Sequence, residues 1–265
     1  DIFLLNAEAI AADFDLLTEG RDTAGIGSAN RIAGDQLFVE EGVEMECANI
    51  NTKTGPVYIG RNALIMEGLN LRGPAVICEG SVVKMGAKIY GATTIGPGSV
   101  VGGEVKQSVI FGYSNKSHEG YLGNSVVGEW CNFGADTNCS NMKNNYKSVK
   151  LWDYAARGMR DTGLPHCGLM MGDFSRTGIN TMLNTGTTVG VNVNLFGSGF
   201  PPAFVPDFTW SDGDSLQTYQ LEKALETAAR IREQKGFPFS EADALISAAV
   251  FDLTAGYRKQ RHAGK

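Results

Sequence analysis

The sequence predicts an all-β solenoid, a parallel β-helix built from hexapeptide repeats with helical segments at both ends. Its 34 glycines among 265 residues are almost twice the usual share of about 7%, so a periodic feature must use them. Written in sixes from Gly55, the chain reads GPVYIG, RNALIM, EGLNLR, GPAVIC, EGSVVK, MGAKIY, GATTIG and PGSVVG. The fifth position of every unit is a branched aliphatic residue, namely Ile59, Ile65, Leu71, Ile77, Val83, Ile89, Ile95 and Val101.

A period of six differs from the period of two in a flat strand and from the period of 3.6 in a helix. Glycine or proline occupies the second position of most units, where a short strand must turn. Three units close a triangular coil of about 18 residues. The aliphatic column is then expected to stack inside the coils as a ladder.

The register continues on both sides of this block. Val39 and Met45 belong to earlier coils, and the extra residues "NTKTG" are expected to bulge out. The column resumes later at Met171, Thr177, Leu183, Val189 and Leu195. Between the blocks the pattern loosens over residues 105–121 and is lost over 143–168. Both stretches are predicted to leave the coils as loops, where function is expected.

Both ends of the chain show helical periodicity. Residues 6–19 place Ala7, Ile10, Ala11, Phe14 and Leu17 at helical spacing. Two further helices are predicted over 214–235 and 240–262. The helices are expected to cover the open ends of the solenoid.

The last predicted helix opens with Ser240, and Asp243 completes an imperfect capping box. Its apolar face is expected to pack on its own coils or on another subunit. That face consists of Leu245, Ile246, Val250, Leu253 and Tyr257.

Composition excludes several functional classes. A net charge of −6 and a pI near 5.2 argue against a general surface for nucleic acid or anionic membranes. No apolar run approaches the roughly 20 residues that span a bilayer, and no signal peptide is evident. The odd number of cysteines, without a C-x-x-C pair, predicts reduced thiols in a cytoplasmic protein. They are Cys47, Cys78, Cys131, Cys139 and Cys167.

Three motifs with polar residues overlap the two irregular stretches or the segment between them. The stretch "SHEGYLG" contains His118, Tyr121 and Gly123, and "GGEVKQS" before it contains Glu104 and Lys106. The third motif, "NFGADTNCSNMKNNYK", contains Asn132, Ala135, Asn141 and Lys147. Over residues 38–200 the sequence resembles the left-handed β-helix acetyltransferase half of the bifunctional N-acetylglucosamine-1-phosphate uridyltransferase/glucosamine-1-phosphate acetyltransferase family.

The resemblance assigns roles to these residues. In that family a motif of the type G/S-H-x-x-Y-x-G supplies the catalytic histidine, which implies His118 as catalytic base. Asn141 is implied as a second catalytic residue that holds the amino group or the acetyl carbonyl. The implied sugar-phosphate contacts are Lys88, Glu104, Lys106, Tyr121, Asn132, Lys147 and Lys150. Lys88 stands where the family usually has arginine, and Met142 stands where the bacterial enzymes usually have tyrosine.

The chemistry agrees with this assignment. An amine that attacks a thioester must lose a proton, and histidine is suited to accept it near neutral pH. The backbone N–H of Ala135 is a candidate donor to the developing oxyanion. Arg157, Arg160 and Arg176 are candidates to meet the phosphates of coenzyme A. His166 and His262 lack such partners and are interpreted as structural or solvated.

The resemblance further implies acetyl-CoA as co-substrate, a homotrimer with sites between subunits, and no metal on this chain. The chain starts with Asp1 and has no G-x-G-T-R nucleotide loop. The predicted division is therefore 1–36 as a helical linker from a missing nucleotidyltransferase domain, 37–205 as the β-helix, and 206–265 as C-terminal helices.

Two other functions compete with acetyl transfer. A β-helix can serve only to assemble or regulate a sugar nucleotidyltransferase, with the histidine motif as a remnant. A β-helix carbonic anhydrase needs three histidines on zinc, whereas His118 and His166 stand far apart and no H-x4-H pair occurs.

Overall fold

A computed structural model describes residues 2–211 and 215–259. Its helices are α1 (Ile2–Thr18), α2 (Leu221–Gln234), α3 (Glu241–Leu253) and α4 (Ala255–Lys259). In chain order the strands are β1 (Arg31–Ala33), β2 (Leu37–Val39), β3 (Glu44–Met45), β4 (Asn49–Asn51), β5 (Val57–Ile59), β6 (Leu64–Ile65), β7 (Asn70–Arg72), β8 (Ala75–Ile77), β9 (Val82–Val83), β10 (Lys88–Tyr90), β11 (Thr93–Ile95), β12 (Val100–Val101), β13 (Glu104–Lys106), β14 (Val109–Ile110), β15 (Asn115–Lys116), β16 (Tyr121–Gly123), β17 (Val126–Val127), β18 (Asn138–Cys139), β19 (Lys150–Asp153), β20 (Gly158–Asp161), β21 (Met170–Met171), β22 (Arg176–Thr177), β23 (Met182–Leu183), β24 (Thr188–Val189), β25 (Asn194–Leu195), β26 (Phe204–Val205), β27 (Thr209–Ser211) and β28 (Leu216–Thr218).

Short parallel strands stack into the three faces of a left-handed parallel β-helix, as predicted. The first face orders β1-β4-β7-β10-β13-β16, and the pair β18-β23 continues it. The second face orders β2-β5-β8-β11-β14-β17-β21-β24-β26. The third face consists of β3-β6-β9-β12-β15 and β22-β25-β27-β28, joined by bridges from Asn132 to Asn115 and Arg176. The coils begin at Arg31 and end at Ser211, beyond both predicted boundaries.

The predicted aliphatic ladder forms the core of the β-helix. All eight fifth-position residues of the hexapeptide block are buried, and so are Val39 and Met45. The later column from Met171 to Leu195 is buried as well. Parallel strands covered on one side by stacked aliphatic side chains gain most of their stability from this burial.

Residues 105–121 do not leave the coils, so the predicted loop there is wrong. Asn70 pairs with Lys88, 18 residues on, whereas Lys88 pairs with Glu104, only 16 residues on. The shorter coil shifts the spacing of the inward column but keeps every strand in its sheet. The column continues through Val105, Ile110, Lys116, Leu122, Val127, Phe133 and Cys139, all of which are buried.

The predicted excursion at 143–168 is confirmed. We call residues 141–168, between β18 and β21, the insertion. It contains the antiparallel hairpin of β19 and β20. Trp152 of this hairpin stacks on Phe204 at 4.1 Å between ring centroids, and Tyr154 meets the same ring edge-on. Loop packing accounts for both aromatic residues.

Helix α1 lies along the second face. Asn6 Nδ2 donates to Ala92 O at 2.5 Å, and Thr94 Oγ1 donates to Asn6 Oδ1 at 3.0 Å. The buried residues of α1 are Phe3, Asn6 and Ile10. Of the predicted apolar face only Ile10 is buried, because the helix docks through a face rotated toward Phe3 and Asn6.

The C-terminal helices run beside the coils instead of covering an open end. Lys235 Nζ donates to Gly98 O at 3.0 Å, and Phe237 packs edge-on against Tyr113 and Trp130. The beginning of the predicted helix 214–235 is wrong, since β28 pairs antiparallel with β27 and α2 starts only at Leu221.

The capping box of α3 is confirmed, with Asp243 N–H donating to Ser240 Oγ at 3.2 Å. Leu245, Ile246 and Leu253 remain exposed, so most of the predicted apolar face does not pack on the chain's own coils. Residues 260–262 of the predicted helix, including His262, lie outside the described residues.

The five cysteines are free thiols, and Cys131, Cys139 and Cys167 are buried. Burial raises the pKa of the Cys131 and Cys139 thiols to about 12. No helix in the described part of the chain is long and apolar enough to cross a membrane.

Candidate active site

Three of the predicted substrate contacts form a ladder on the outside of the first face. Lys88 on β10 pairs with Glu104 on β13, and Glu104 pairs with Tyr121 on β16. Neighbouring parallel strands lie about 4.8 Å apart. The solenoid thus brings together side chains that are far apart in the sequence.

A second outward ladder runs beside the first, because side chains two residues apart share a face of a strand. Tyr90 Oη donates to Glu104 Oε1 at 2.5 Å, and the Lys106 ammonium lies 5.8 Å from the centre of the Tyr90 ring. The hydrogen bond to Glu104 raises the pKa of Tyr90 to about 12. Sequence reasoning missed Tyr90, although its spacing of two residues from Lys88 is the signal that places it here.

A groove of about 830 Å³ follows the first face below these ladders. Its lining includes Arg31, Asn49, Asn70, Arg72, Lys88, Tyr90 and Glu104. Among the described residues, no carboxylate forms an ion pair with Arg31 or Arg72. The groove is therefore suited to anionic groups of a ligand.

His118 lies at the corner that joins the third face to the first. We call residues 117–120, between β15 and β16, the His118 corner. The His118 side chain is exposed, and no residue within 2–211 or 215–259 forms a hydrogen bond with its imidazole. Next to it, Glu119 Oε2 lies 3.7 Å from Lys88 Nζ. This contact places the corner beside the ladder on the first face.

The following corner stacks directly on the His118 corner. Asp136 N–H donates to Glu119 O at 3.0 Å, so Ala135 and His118 occupy equivalent positions in adjacent coils. Ala135 O accepts from Asn180 N–H at 2.7 Å. The Ala135 N–H has no hydrogen-bond partner in the described part of the chain, which leaves it free to bind a ligand oxygen.

Asn141 approaches the first face from the insertion. Its amide donates to Tyr121 Oη at 3.0 Å and to Asn124 Oδ1 at 2.6 Å. Burial raises the pKa of Tyr121, so its hydroxyl keeps its proton at neutral pH. A Cβ atom at Gly123 would collide with the Tyr121 hydroxyl and lie 3.0 Å from Asn141 Nδ2. This crowding explains the glycine that closes the histidine motif.

Asn132 lies on the third face, across the His118 corner from the ladder. Asn115 Nδ2 donates to Asn132 Oδ1 at 2.8 Å, and the backbone of Asn132 bridges to that of Arg176. Burial lowers the pKa of the Arg176 guanidinium, and among the described residues this group has no acidic partner within 4.0 Å. The predicted residues thus form two groups that flank the His118 corner.

Lys147 and Lys150 do not join either group within one chain. Both are exposed on the insertion, and Lys150 pairs across the hairpin with Asp161. Met142 forms an antiparallel bridge with His166 in the same insertion. Arg160 pairs with Asp153 at 3.3 Å, and Arg157 lies over the Tyr257 ring, so hairpin contacts account for these two arginines.

Within residues 2–211 and 215–259, no three His, Cys, Asp or Glu side chains are grouped closely enough to hold a metal ion. The chemistry offered here is a histidine at a corner, free N–H donors and cationic side chains.

Comparison with known proteins identifies relatives over part of the chain. "Bifunctional protein GlmU" of Methanocaldococcus jannaschii is 36% identical over 89 residues, which cover 34% of this chain and 21% of that protein. The "Bifunctional sugar-1-phosphate nucleotidylyltransferase/acetyltransferase" of Sulfurisphaera tokodaii is 36% identical over 94 residues, or 35% of this chain and 23% of that protein. The chain therefore matches less than a quarter of the length of these relatives. No family profile matches it.

Solved structures align with most of this chain at low sequence identity. A UDP-N-acetylglucosamine acyltransferase of Francisella novicida is 12% identical, with a TM-score of 0.34, covering 87% of this chain and 78% of that one. A hexapeptide transferase family protein of Anaplasma phagocytophilum is 15% identical, with a TM-score of 0.29, covering 87% of this chain and 90% of that one. The predicted resemblance to bifunctional nucleotidyltransferase/acetyltransferases is confirmed by the sequence relatives, over about a third of the chain.

Proposed function

We propose that this chain transfers an acetyl group from acetyl-CoA to the amino group of a hexosamine 1-phosphate, with glucosamine 1-phosphate as the first candidate. The observation that carries the proposal is the position of the His118 corner. It lies beside a ladder of Lys88, Glu104 and Tyr121, where the Glu119–Lys88 contact of 3.7 Å joins the two. The similarity to the archaeal bifunctional proteins supports the same reaction.

In the proposed mechanism the exposed imidazole of His118 accepts a proton from the attacking amine. The C–N bond forms at the thioester carbonyl, the C–S bond breaks, and coenzyme A leaves as the thiol after taking up a proton. The free N–H of Ala135, one coil further, donates to the oxygen that becomes negative. Asn141 is assigned to hold the amino group or the acetyl carbonyl, because its amide already reaches Tyr121.

The anionic parts of the two substrates are assigned to different faces. Lys88 and Lys106 on the first face are assigned to the sugar phosphate, with Glu104 and Tyr121 as hydrogen-bond partners of the sugar hydroxyls. Arg176 on the third face is assigned to the phosphates of acetyl-CoA, since a half-buried guanidinium without an acidic partner favours an anion. Asn132, next to Arg176, is assigned to the neighbouring part of either substrate.

Lys147 and Lys150 are assigned to a site on a neighbouring subunit. Both are exposed, and among the described residues neither side chain forms a hydrogen bond or ion pair with the first face. A cyclic homotrimer would let the insertion of one chain reach the first face of the next. Acetyl-CoA as donor agrees with a cytoplasmic location.

The test measures thiol release from acetyl-CoA in the presence of glucosamine 1-phosphate. Wild-type protein is compared with His118→Ala, and His166→Ala serves as the matched control because His166 is also exposed but lies on the insertion. We expect loss of turnover only in His118→Ala. No turnover of the wild type above His118→Ala, with any amino sugar phosphate tried, refutes the proposal and favours a purely assembling or regulatory β-helix.

A further inference from the structure

A lysine occupies a position of the core ladder at the coil that precedes the His118 corner. In the third face Val83 pairs with Val101, and Val101 pairs with Lys116. Lys116 therefore follows two inward-facing valines, and only 3% of its surface is exposed. A buried ammonium costs several kcal/mol unless its donors are satisfied, so this residue needs an explanation beyond packing.

The ammonium of Lys116 is fully hydrogen-bonded by backbone carbonyls. It donates to Gly120 O at 2.8 Å, to Gly102 O at 3.0 Å and to His118 O at 3.2 Å. An ammonium has three N–H donors, and all three are used here. Two of the three acceptors belong to the His118 corner itself.

A shortened corner creates the need for this donor. Only Gly102 and Gly103 connect β12 to β13, whereas four residues connect β15 to β16 at the His118 corner. A Cβ atom at Gly102 would collide with Ser117 O, and one at Gly103 would lie 2.9 Å from His118 O. The two corners are thus in direct backbone contact, and the carbonyls between them face Lys116 inside the coil.

We infer that Lys116 is a positioning residue, whose charged side chain fixes the backbone that carries the His118 imidazole. The expected effect on the reaction rate rests on the proposed function. The hydrogen bonds that hold the His118 corner in place are a property of the fold and do not depend on it. Burial lowers the pKa of Lys116 to about 8, which is consistent with an ammonium that can lose its proton at mildly alkaline pH. The charged groups that face it are Glu119, which opposes this shift, and Lys88, which adds to it; His118 on the same corner is the other titratable neighbour.

The first experiment compares acetyl transfer by wild type and Lys116→Met, which keeps the length of the apolar stem but removes the donors. The control is Lys53→Met, which changes an exposed lysine in an early turn. Displacement of a reacting group by about 1 Å costs on the order of 100-fold in rate. We expect kcat to fall at least about tenfold in Lys116→Met, while KM for the amino sugar stays within about twofold because the first-face ladder is untouched.

The pH profile separates positioning from a structural role. A neutral amine can no longer donate to three carbonyls, so wild-type kcat is expected to decline as pH rises through about 8. The residual activity of Lys116→Met is expected to lack this decline. A kcat of folded Lys116→Met within about twofold of wild type, or an identical alkaline decline in both proteins, overturns the inference.

A second readout does not depend on acetyl transfer. Diethyl pyrocarbonate modifies exposed imidazoles, and peptide mass spectrometry reports the rate at His118 with His166 as internal reference. We expect the His118 rate to change at least about threefold in Lys116→Met while the His166 rate stays constant; an unchanged His118 rate overturns the inference.

If the wild type transfers no acetyl group, the proposed function fails and this rate alone decides the role of Lys116. If Lys116→Met does not fold, the wild-type ratio of the two rates decides: a step near pH 8 supports the inference, and a ratio without a step overturns it.

Discussion

The Asn141 amide donates a hydrogen bond to the Tyr121 hydroxyl at 3.0 Å. One residue belongs to the insertion and the other to a regular strand of the first face. The bond therefore couples the position of a loop to the surface on which the substrate contacts are assigned.

Replacement of Tyr121 by phenylalanine tests this coupling. The change removes an acceptor for Asn141 and a hydroxyl for the sugar, and loss of one hydrogen bond costs about 1 kcal/mol. We expect KM for the amino sugar to rise about fivefold, with a smaller change in kcat. Steady-state kinetics provide the measurement, and Tyr146→Phe, at an exposed position, is the control. A fall in kcat at constant KM would instead assign the hydroxyl to the reacting atoms.

The core ladder has a direct energetic test. Ile77 is fully buried in the middle of the β-helix, whereas Ile179 is 71% exposed at a corner. Ile77→Ala is expected to lower the free energy of unfolding by about 2–5 kcal/mol, because it leaves a cavity between stacked coils. Ile179→Ala is expected to change it by less than about 0.5 kcal/mol. Urea unfolding monitored by circular dichroism measures both, and equal losses would contradict the buried ladder.

Lys116 makes stability depend on pH in a defined window. Its folded pKa of about 8 lies below the ordinary lysine value, so between these values the unfolded chain binds more protons than the folded one. Stability contributed by this residue therefore rises with pH above about 8, by up to about 3 kcal/mol once both states are neutral.

The buried cysteines, whose pKa is raised, act in the opposite direction at alkaline pH. The informative quantity is therefore the difference in unfolding free energy between wild type and Lys116→Met, measured from pH 7 to 10.5. We expect wild type to gain relative to the variant across this range. A difference that stays constant with pH would contradict a lowered pKa at Lys116.

Thiol reactivity follows burial. Cys47 is exposed, Cys78 is half-buried, and the other three cysteines are buried. We expect one thiol per chain to react rapidly with a disulfide reagent in the native protein, and Cys47→Ser to abolish that phase. The remaining thiols should react only on unfolding, since burial keeps them protonated. Rapid reaction of two or more thiols in folded protein would contradict this prediction.

Subunit mixing tests whether Lys147 completes a neighbour's site. His118→Ala and Lys147→Met chains are each expected to be inactive as homotrimers. If His118 and Lys147 of one site come from adjacent chains, random mixing after unfolding and refolding restores about a quarter of the sites. If both residues of a site belong to one chain, mixing restores none. Sedimentation equilibrium of the mixture checks that trimers have formed.

The repeat made the core of this fold predictable from sequence. Eight aliphatic residues in register identify the inward column, because a triangular coil buries one side chain per hexapeptide. The histidine motif and its distances likewise identified Tyr121, Asn132 and Asn141, which the structure places on either side of the His118 corner. Lys147, identified in the same way, lies apart from them within one chain. Asn141 and Tyr121, predicted from two separate motifs, are in contact.

The period alone could not reveal how the coils change length. The short connection at Gly102 and Gly103 shifts the column by two residues, and the step from Val105 to Ile110 shortens it by one more. Lys116 then occupies a core position with a polar side chain. A search for aliphatic residues at every sixth position therefore predicts a loop over residues 105–121, although this stretch belongs to the coils. The period also could not show that Asn132 lies on the third face and Lys88 on the first, since the face of a residue depends on how the strands pair in three dimensions.

Helix α1 and the segment after α2 form hydrogen bonds with the same coil. Asn6 of α1 contacts Ala92 and Thr94, and Lys235 after α2 contacts Gly98. Repeat proteins ordinarily lose their units one at a time from an end, because each unit touches only its neighbours. Here α1 and the segment after α2 each extend past coils that would otherwise unfold independently. A pull on α1 or on the segment after α2 is thus transmitted to the coil that carries Lys88, which opposes stepwise unfolding of the coils from either side.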